Sequence, residues 1–243
     1  YISKVGESAG KMYGFVYEGT YKYEDFDTSV NEKGETVYKL KEGIPYYTAN
    51  TQPGDPKYKN MDENLQINDA DKVAIGNGQP KHTGGFTNNF TYKNFDLNIF
   101  MTWSYGNDIL NANRMIFENP SSKQNTNMFA TYVNRWTESN PYSDMPRAKA
   151  QGAGEYSSLY VEDGSFLKLK NITLGYNFKP KTLHPLHINS ARVYVSAENI
   201  ATISSYSGSD PEVSTRNSVL TPGFDWSAYP RAFNLSLGLN VTF

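Results

Sequence analysis

Two short runs of this sequence carry side chains suited to holding a polar ligand. Trp136, Tyr142, Asp144 and Arg147 lie close together in the chain, and Trp226, Tyr229 and Arg231 form a second run. Aromatic faces stack on the apolar faces of sugar rings, while carboxylates and guanidinium groups take hydroxyls or clamp the charged termini of a peptide. These are the candidate substrate-binding residues. The same residue types also pack loops against one another, which is their commoner use, and the sequence does not name a substrate.

Other chemistry has little to build on. His184 and His187 flank Pro185-Leu186 with no third ligand nearby in sequence, so no zinc site is expected. No G-x-S-x-G, Walker or H-E-x-x-H pattern occurs, and no carboxylate pair stands out from loop solvation, so no catalytic residue is assigned and enzymatic activity is not expected. Cysteine is absent, which excludes disulfides and thiolate metal sites. A net charge of −2 supplies no basic field for a nucleic acid.

The elements that must position these residues are β-strands. From Ala232 to Phe243 every odd position is apolar (Phe233, Leu235, Leu237, Leu239, Val241, Phe243) and the even positions from Asn234 to Thr242 are Asn, Ser, Gly, Asn and Thr. This strict period of two gives a strand one apolar and one polar face. Eleven residues at ~3.3 Å each, tilted by ~40°, rise roughly 25 Å, the height of the apolar band of an outer-membrane barrel. Aromatic residues at both ends fit its interfacial girdles. The chain has no apolar run near ~18 residues, which excludes transmembrane helices but not a transmembrane barrel.

The pattern recurs along the chain. Met12 to Tyr23, with aromatics at odd positions, reads as a first strand, and Thr36 to Leu40 is a weak candidate. Gly85 to Tyr92 and Phe95 to Tyr105 form a hairpin around Lys93-Asn94, with Phe100 the one apolar residue on its polar face. Asn127 to Trp136 has the spacing of a short amphipathic helix. In Leu167 to Phe178 the phase slips, since Leu167 and Leu169 oppose Ile172 and Leu174 in parity, which a bulge near Lys170-Asn171, or a strand end rising above the membrane, would explain. Ala191 to Glu198 alternates again. Six strands result, with long connections (24–80, 106–164, 201–229) interleaved with short turns (93–94, 179–189). That is the plan of part of a larger outer-membrane barrel, with short periplasmic turns and long extracellular loops. Four glycosylation sequons, at Asn89, Asn171, Asn234 and Asn240, follow from polar faces rich in Asn, Thr and Ser and do not point to glycosylation.

Several stretches, in matching order and spacing over nearly the whole chain, resemble the C-terminal part of the SusC/RagA-like family of TonB-dependent outer-membrane transporters. They are YGFVYEGTY at 13–21, PGDPKYKN at 53–60, IGNGQPKHTGGFTNNFTYKNFDLNIFMTWSYGNDILN at 75–111, RWTESNPYSDMPRA at 135–148, YVEDGSFLKLKNITLGYNF at 160–178, RVYVSAENI at 192–200 and YSGSDPEVS at 206–214. The resemblance implies an all-β fold, the last six strands of a barrel of about 22, with a plug and a TonB box upstream of this chain. It implies import of oligosaccharides or peptides through the bacterial outer membrane, with a SusD-like surface lipoprotein and TonB as partners. Further expected partners are outer-membrane lipids and the barrel assembly machinery, which would read Phe243 at a periplasmic C-terminus. A family loop following Pro-Gly-Asp resembles a calcium loop. Here the matching run offers Asn60, Asp62, Asn64 and Asp71, with Leu65 where glycine is expected, so a solvated acidic loop is favoured over calcium and no cofactor is expected. The alternative from the residues alone is a soluble carbohydrate-binding β-sandwich or β-barrel.

Overall fold

Five of the alternating segments pair into one antiparallel sheet: β1 (His82–Tyr92), β2 (Phe95–Tyr105), β3 (Phe166–Asn177), β4 (Ser190–Ser204) and β5 (Asn234–Thr242), in the order β5-β4-β3-β2-β1. This computed structural model describes residues 1–119, 127–216 and 218–243. Two compact units divide the chain: the sheet, with Pro80–Asn107, Asp163–Glu212 and Ala228–Phe243, and a loop unit of Tyr1–Gln79, Asp108–Glu162 and Val213–Ser227.

Register makes the sheet two-faced. One cross-strand row runs Phe90, Leu97, Leu174, Val195, Leu237, and the next Tyr92, Phe95, Tyr176, Val193, Leu239. Phe90, Leu174, Val195 and Leu237 of the first row are exposed, with Leu237 at 81%. Water penalises such a surface, since isolated soluble domains rarely expose apolar patches beyond a few hundred Å². The opposite face carries the row Asn89, Asn98, Thr173, Ser196, Ser236. There Asn98 donates to Asn89 (2.6 Å), Asn171 donates to Ser196 (3.0 Å), and Thr173 donates to Asn171 (3.0 Å). Three of these residues belong to sequons, whose i and i+2 positions share a face.

The phase slip in β3 is a bulge, the first of the two explanations. Leu169 pairs with Met101 and Asn171 with Phe100, leaving Lys170 as the extra residue against β2. Against β4, Lys170 stands opposite Asn199 and Ile200, and Asn199 takes φ +53°. The bulge returns Leu167 and Leu169 to the face of Ile172 and Leu174. Phe100, on the polar face, lies against Gly85, where an added Cβ would come within 3.2 Å of its ring.

Both tight connections leave the same end of the sheet. Lys93 turns the β1–β2 hairpin at φ +53°. Asn177 donates its backbone N–H to the Asn94 carbonyl (2.8 Å), and Asn189 donates to that of Thr242 (2.7 Å). Across this end Arg192 reaches over Gly175 to Asp96 with two hydrogen bonds, 3.1 and 2.5 Å. A side chain at position 175 would occupy that path.

Two expectations need correction. Met12 to Tyr23 is not a sheet strand. It breaks into Lys11–Gly14, paired with Val73–Asn77, and Tyr17–Thr20, paired with Pro56–Tyr58. The sheet therefore has five strands rather than six. Its parity was misleading because both faces are buried in the loop unit: Met12 and Thr20 as well as Phe15 and Tyr21. Gly19 at φ +103° also breaks the extended run. The segment Asn127 to Trp136 forms a 3-10 turn at Ala130–Asn134 in place of an amphipathic helix.

The long connections are themselves folded. The first carries the hairpin Phe26–Val30 with Thr36–Leu40, which realises the weak candidate. Phe15, Tyr58 and Ile67 form one small core of the loop unit, and Met12, Leu110, Ala112, Tyr160 and Phe224 form another. Among the described residues no helix is long and apolar enough to cross a membrane.

Candidate functional site

The Pro-Gly-Asp turn organises the loop unit. Gly54 adopts φ +84°, a conformation that strains any residue with a Cβ. Its N–H donates to the Tyr21 carbonyl (2.8 Å), and Tyr21 N–H donates to that of Asp55 (2.9 Å). The Asp55 carboxylate, almost fully buried, accepts from Gln52 N–H (2.9 Å), Gln151 N–H (3.2 Å) and Arg147 Nε (2.7 Å). A buried carboxylate needs such partners, and here it has a cation and two amides.

Two candidate residues, Trp136 and Arg147, pack on this turn, and Tyr142 and Asp144 follow in the same segment beside Glu24 and Lys22. Trp136 lies over Gly54, so close that an added Cβ would stand 2.5 Å from the ring, and its ring also meets that of Tyr23 at 5.7 Å between centroids. Tyr23 in turn meets Tyr38 at 5.5 Å, giving a run of three rings. Arg147 is held by Asp55 and also donates its N–H to the Gly54 carbonyl (2.8 Å). Tyr142 is 70% exposed and donates to Glu24 (3.2 Å), a bond that holds its hydroxyl pKa above the ordinary phenol value. Asp144 presents its carboxylate outward, with Lys22 Nζ at 3.4 Å, while its backbone carbonyl accepts from Tyr17. Burial raises the pKa of the Tyr23 hydroxyl, with Tyr38 adding to the shift.

A cleft of about 220 Å³ adjoins Asp144, Met145 and Pro146 and is walled by Arg114, Glu118, Leu159 and Tyr160. Arg114 donates to Glu118 (2.9 Å), Glu162 (3.2 Å) and the Leu159 carbonyl (3.1 Å). Sequence reading missed this group. The i,i+4 spacing of Arg114 and Glu118 was a visible signal, but the six-residue helix Ala112–Phe117 is too short to show periodicity.

The second run is divided between the two units. Trp226 is exposed in the loop unit, where the following Ser227 N–H donates to Asn113 (2.7 Å). Tyr229 and Arg231 belong to the sheet unit. Tyr229 is exposed, whereas Arg231 donates to Glu212 (2.7 Å) beside Lys168.

Possible ligands for a metal are differently engaged. Asp71 is fully buried and accepts from the N–H groups of Met61 (2.7 Å) and Asn68 (2.8 Å). Asn60, Asp62 and Asn64 each accept from the backbone two residues on, a chain of Asx turns. His184 and His187 are exposed at the short-turn end of the sheet. Among the described residues no group of three or more His, Cys, Asp or Glu side chains is arranged to hold a metal ion.

No family model matches the chain. Among characterised proteins, it is 33% identical over its whole length to TonB-dependent receptor P3 of Formosa agariphila, covering 23% of that protein. It is 29% identical over its whole length to TonB-dependent receptor P39 of the same organism, covering 26%. Over 81% of the chain it is 30% identical to TonB-dependent receptor SusC of Bacteroides thetaiotaomicron, covering 18%. The chain thus spans about a quarter or less of the length of these relatives. Among solved structures, the RagAB peptide importer in its open-open state superposes with a TM-score of 0.71 over 99% of this chain and 23% of that one, at 22% identity. Its closed-closed state gives a TM-score of 0.69 over 96% of this chain, again at 22% identity. At that identity the likeness concerns the fold.

Proposed function

We propose, from the premise that this chain belongs to the SusC/RagA-like family of TonB-dependent receptors, that it is a C-terminal segment of the barrel wall of an outer-membrane importer for oligosaccharides or peptides. The observation that carries this reading is the sheet's two faces. A continuous exposed apolar face on strands of membrane-spanning length suits lipid, and a face of hydrogen-bonded Asn, Ser and Thr suits a wet lumen. In this reading the short-turn end and Phe243 face the periplasm, and the long connections face outward. A SusD-like lipoprotein covers the outer side and TonB acts through a segment upstream of this chain. Phe243 closes the apolar stripe and serves barrel assembly.

The candidate residues divide by role. Tyr142 and Asp144, and separately Trp226 and Tyr229, are exposed enough to touch substrate. Trp136, Arg147 and Arg231 hold the segments that present them. Calcium at Asn60, Asp62, Asn64 and Asp71 is not needed for this reading, because the loop closes on its own hydrogen bonds.

The test is uptake of fluorescent oligosaccharide and peptide pools by cells with and without the full-length gene. Uptake of one pool should disappear with the gene and also when the proton-motive force is dissipated. Unchanged uptake of both pools on deletion would refute import.

A further inference from the structure

The short-turn end of the sheet carries an unbalanced charge. Lys93 in the β1–β2 hairpin and Lys179 and Lys181 in the β3–β4 connection are all exposed, and none makes an ion pair among the described residues. Asp96 is the one acidic side chain in the three segments that meet here, 88–96, 176–192 and 238–243, and it is held by Arg192 through two hydrogen bonds. The exposed rings of His184 and His187 add further N–H donors. At the other end of the same sheet three cations are matched, although Lys81 there makes no ion pair among the described residues. Lys168 lies 2.7 Å from Glu212 and 3.6 Å from Asp210, Lys170 lies 3.7 Å from Glu212, and Arg231 donates to Glu212 at 2.7 Å.

The unmatched lysines also sit at a particular depth. Next to them on the apolar face lie Tyr92, Phe95, Tyr176 and Phe178, with Phe95–Tyr176 and Tyr176–Phe178 centroid distances of 4.9 and 5.2 Å. Such a belt marks the level of lipid headgroups. The Lys93 ammonium stands 5.2 Å from the Tyr92 ring centroid, so its alkyl stem follows the ring while its charge reaches the headgroup level.

We propose that this basic rim binds the phosphate groups of anionic phospholipids in the leaflet it faces, anchoring the short-turn end of the wall at a fixed depth. The inference rests on the membrane reading above. It adds a lipid preference that the reading does not require. A free phosphate would need only the lysines, whereas a lipid phosphate also uses the aromatic belt beneath them, and the belt is present. Each Lys near an anionic surface contributes about fivefold in binding, so loss of all three should weaken acidic-lipid binding by at least about tenfold after screening by salt.

The experiment uses the full-length protein reconstituted in vesicles of phosphatidylcholine with or without phosphatidylglycerol, followed by flotation and by native mass spectrometry of retained lipids. The wild type should float in both and keep phosphatidylglycerol in excess of its mole fraction. The triple variant Lys93→Gln, Lys179→Gln, Lys181→Gln should float and remain heat-modifiable but lose the excess, while Lys39→Gln with Lys41→Gln, in the loop unit, should keep it. The single variants Lys93→Gln and Lys179→Gln should show partial losses, which keeps the test decisive if the triple variant does not fold. An undiminished excess in the variants, or no excess in the wild type, overturns the lipid site alone. Equal loss in the loop-unit control, or displacement of the lipid by inorganic phosphate, overturns it too. A wild type that does not float overturns the membrane reading with it.

Discussion

Replacing Leu237 by arginine tests the facing of the sheet at its most informative point. Leu237 is 81% exposed, between Leu235 at 67% and Leu239 at 65%, and it ends the row that begins at Phe90. It lies four residues after Phe233 and six before Phe243. At ~3.3 Å per residue and ~40° tilt these spacings are about 10 and 15 Å along the bilayer normal, which puts Leu237 close to the middle of a ~25 Å apolar band. Arginine at that depth costs roughly 2 to 4 kcal/mol, or about 30- to 700-fold in the folding equilibrium at ~1.4 kcal/mol per tenfold. Ser236 points to the other face, opposite Ser196, whose hydroxyl is already in a network with Asn171 and Thr173. Ser236→Arg should therefore cost less than about 1 kcal/mol, because its charge stays hydrated. The assay is reversible unfolding of the full-length protein from lipid bilayers by urea or guanidinium, read by heat-modifiable mobility and tryptophan fluorescence. Equal penalties for the two variants, or a larger one for Ser236→Arg, would refute the assignment of faces.

Three further outcomes are expected. Cysteines at Glu35, Ser139 and Ser209, all exposed, should react with an impermeant maleimide on intact cells expressing the full-length protein, whereas one at Asn94 should react only after lysis; labelling of Asn94 in intact cells would invert the topology. Gly54→Ala must hold φ near +84° with a methyl against the Trp136 ring, so it should destabilise the loop unit by about 1 to 3 kcal/mol and speed proteolysis there, while Gly34→Ala, with nothing within 4 Å of an added Cβ, should show only the smaller cost of its φ of +78°. Deleting Phe243 from the full-length protein should lower the yield of heat-modifiable barrel at matched expression, and an unchanged yield would remove its assembly role.

The sheet was legible in the sequence because its information is local. A strand with lipid on one face and water on the other writes its environment into every second residue. The hairpin at Lys93-Asn94, the phase slip near Lys170, the run from Ala191 and the terminal strand could all be read without knowing their partners. The parity slip between Leu169 and Ile172 was visible, and the register decided that an extra residue restores the face rather than the strand end rising clear of it. The loop unit was not legible for the same reason in reverse. Apart from the local hairpin Phe26–Val30 with Thr36–Leu40, several of its elements are buried on both faces or held by distant groups, so Met12 to Tyr23 displayed strand parity while folding as two short pieces against Pro56–Tyr58 and Val73–Asn77.

The candidate site divides along the same line. Aromatic and charged residue types in the loops were evident, but their assignments depend on partners far away in the chain. Arg147 is committed to Asp55, 92 residues away in sequence, and Arg231 to Glu212, while Tyr142 and Asp144 are left presenting their side chains outward. The sequence by itself determined which strands have a lipid-suited face, because alternation is a property of neighbouring residues. Only the tertiary structure decided which charges are neutralised and which stand open, because pairing energy depends on distance in space, which the loops set by long-range closure and no local pattern records.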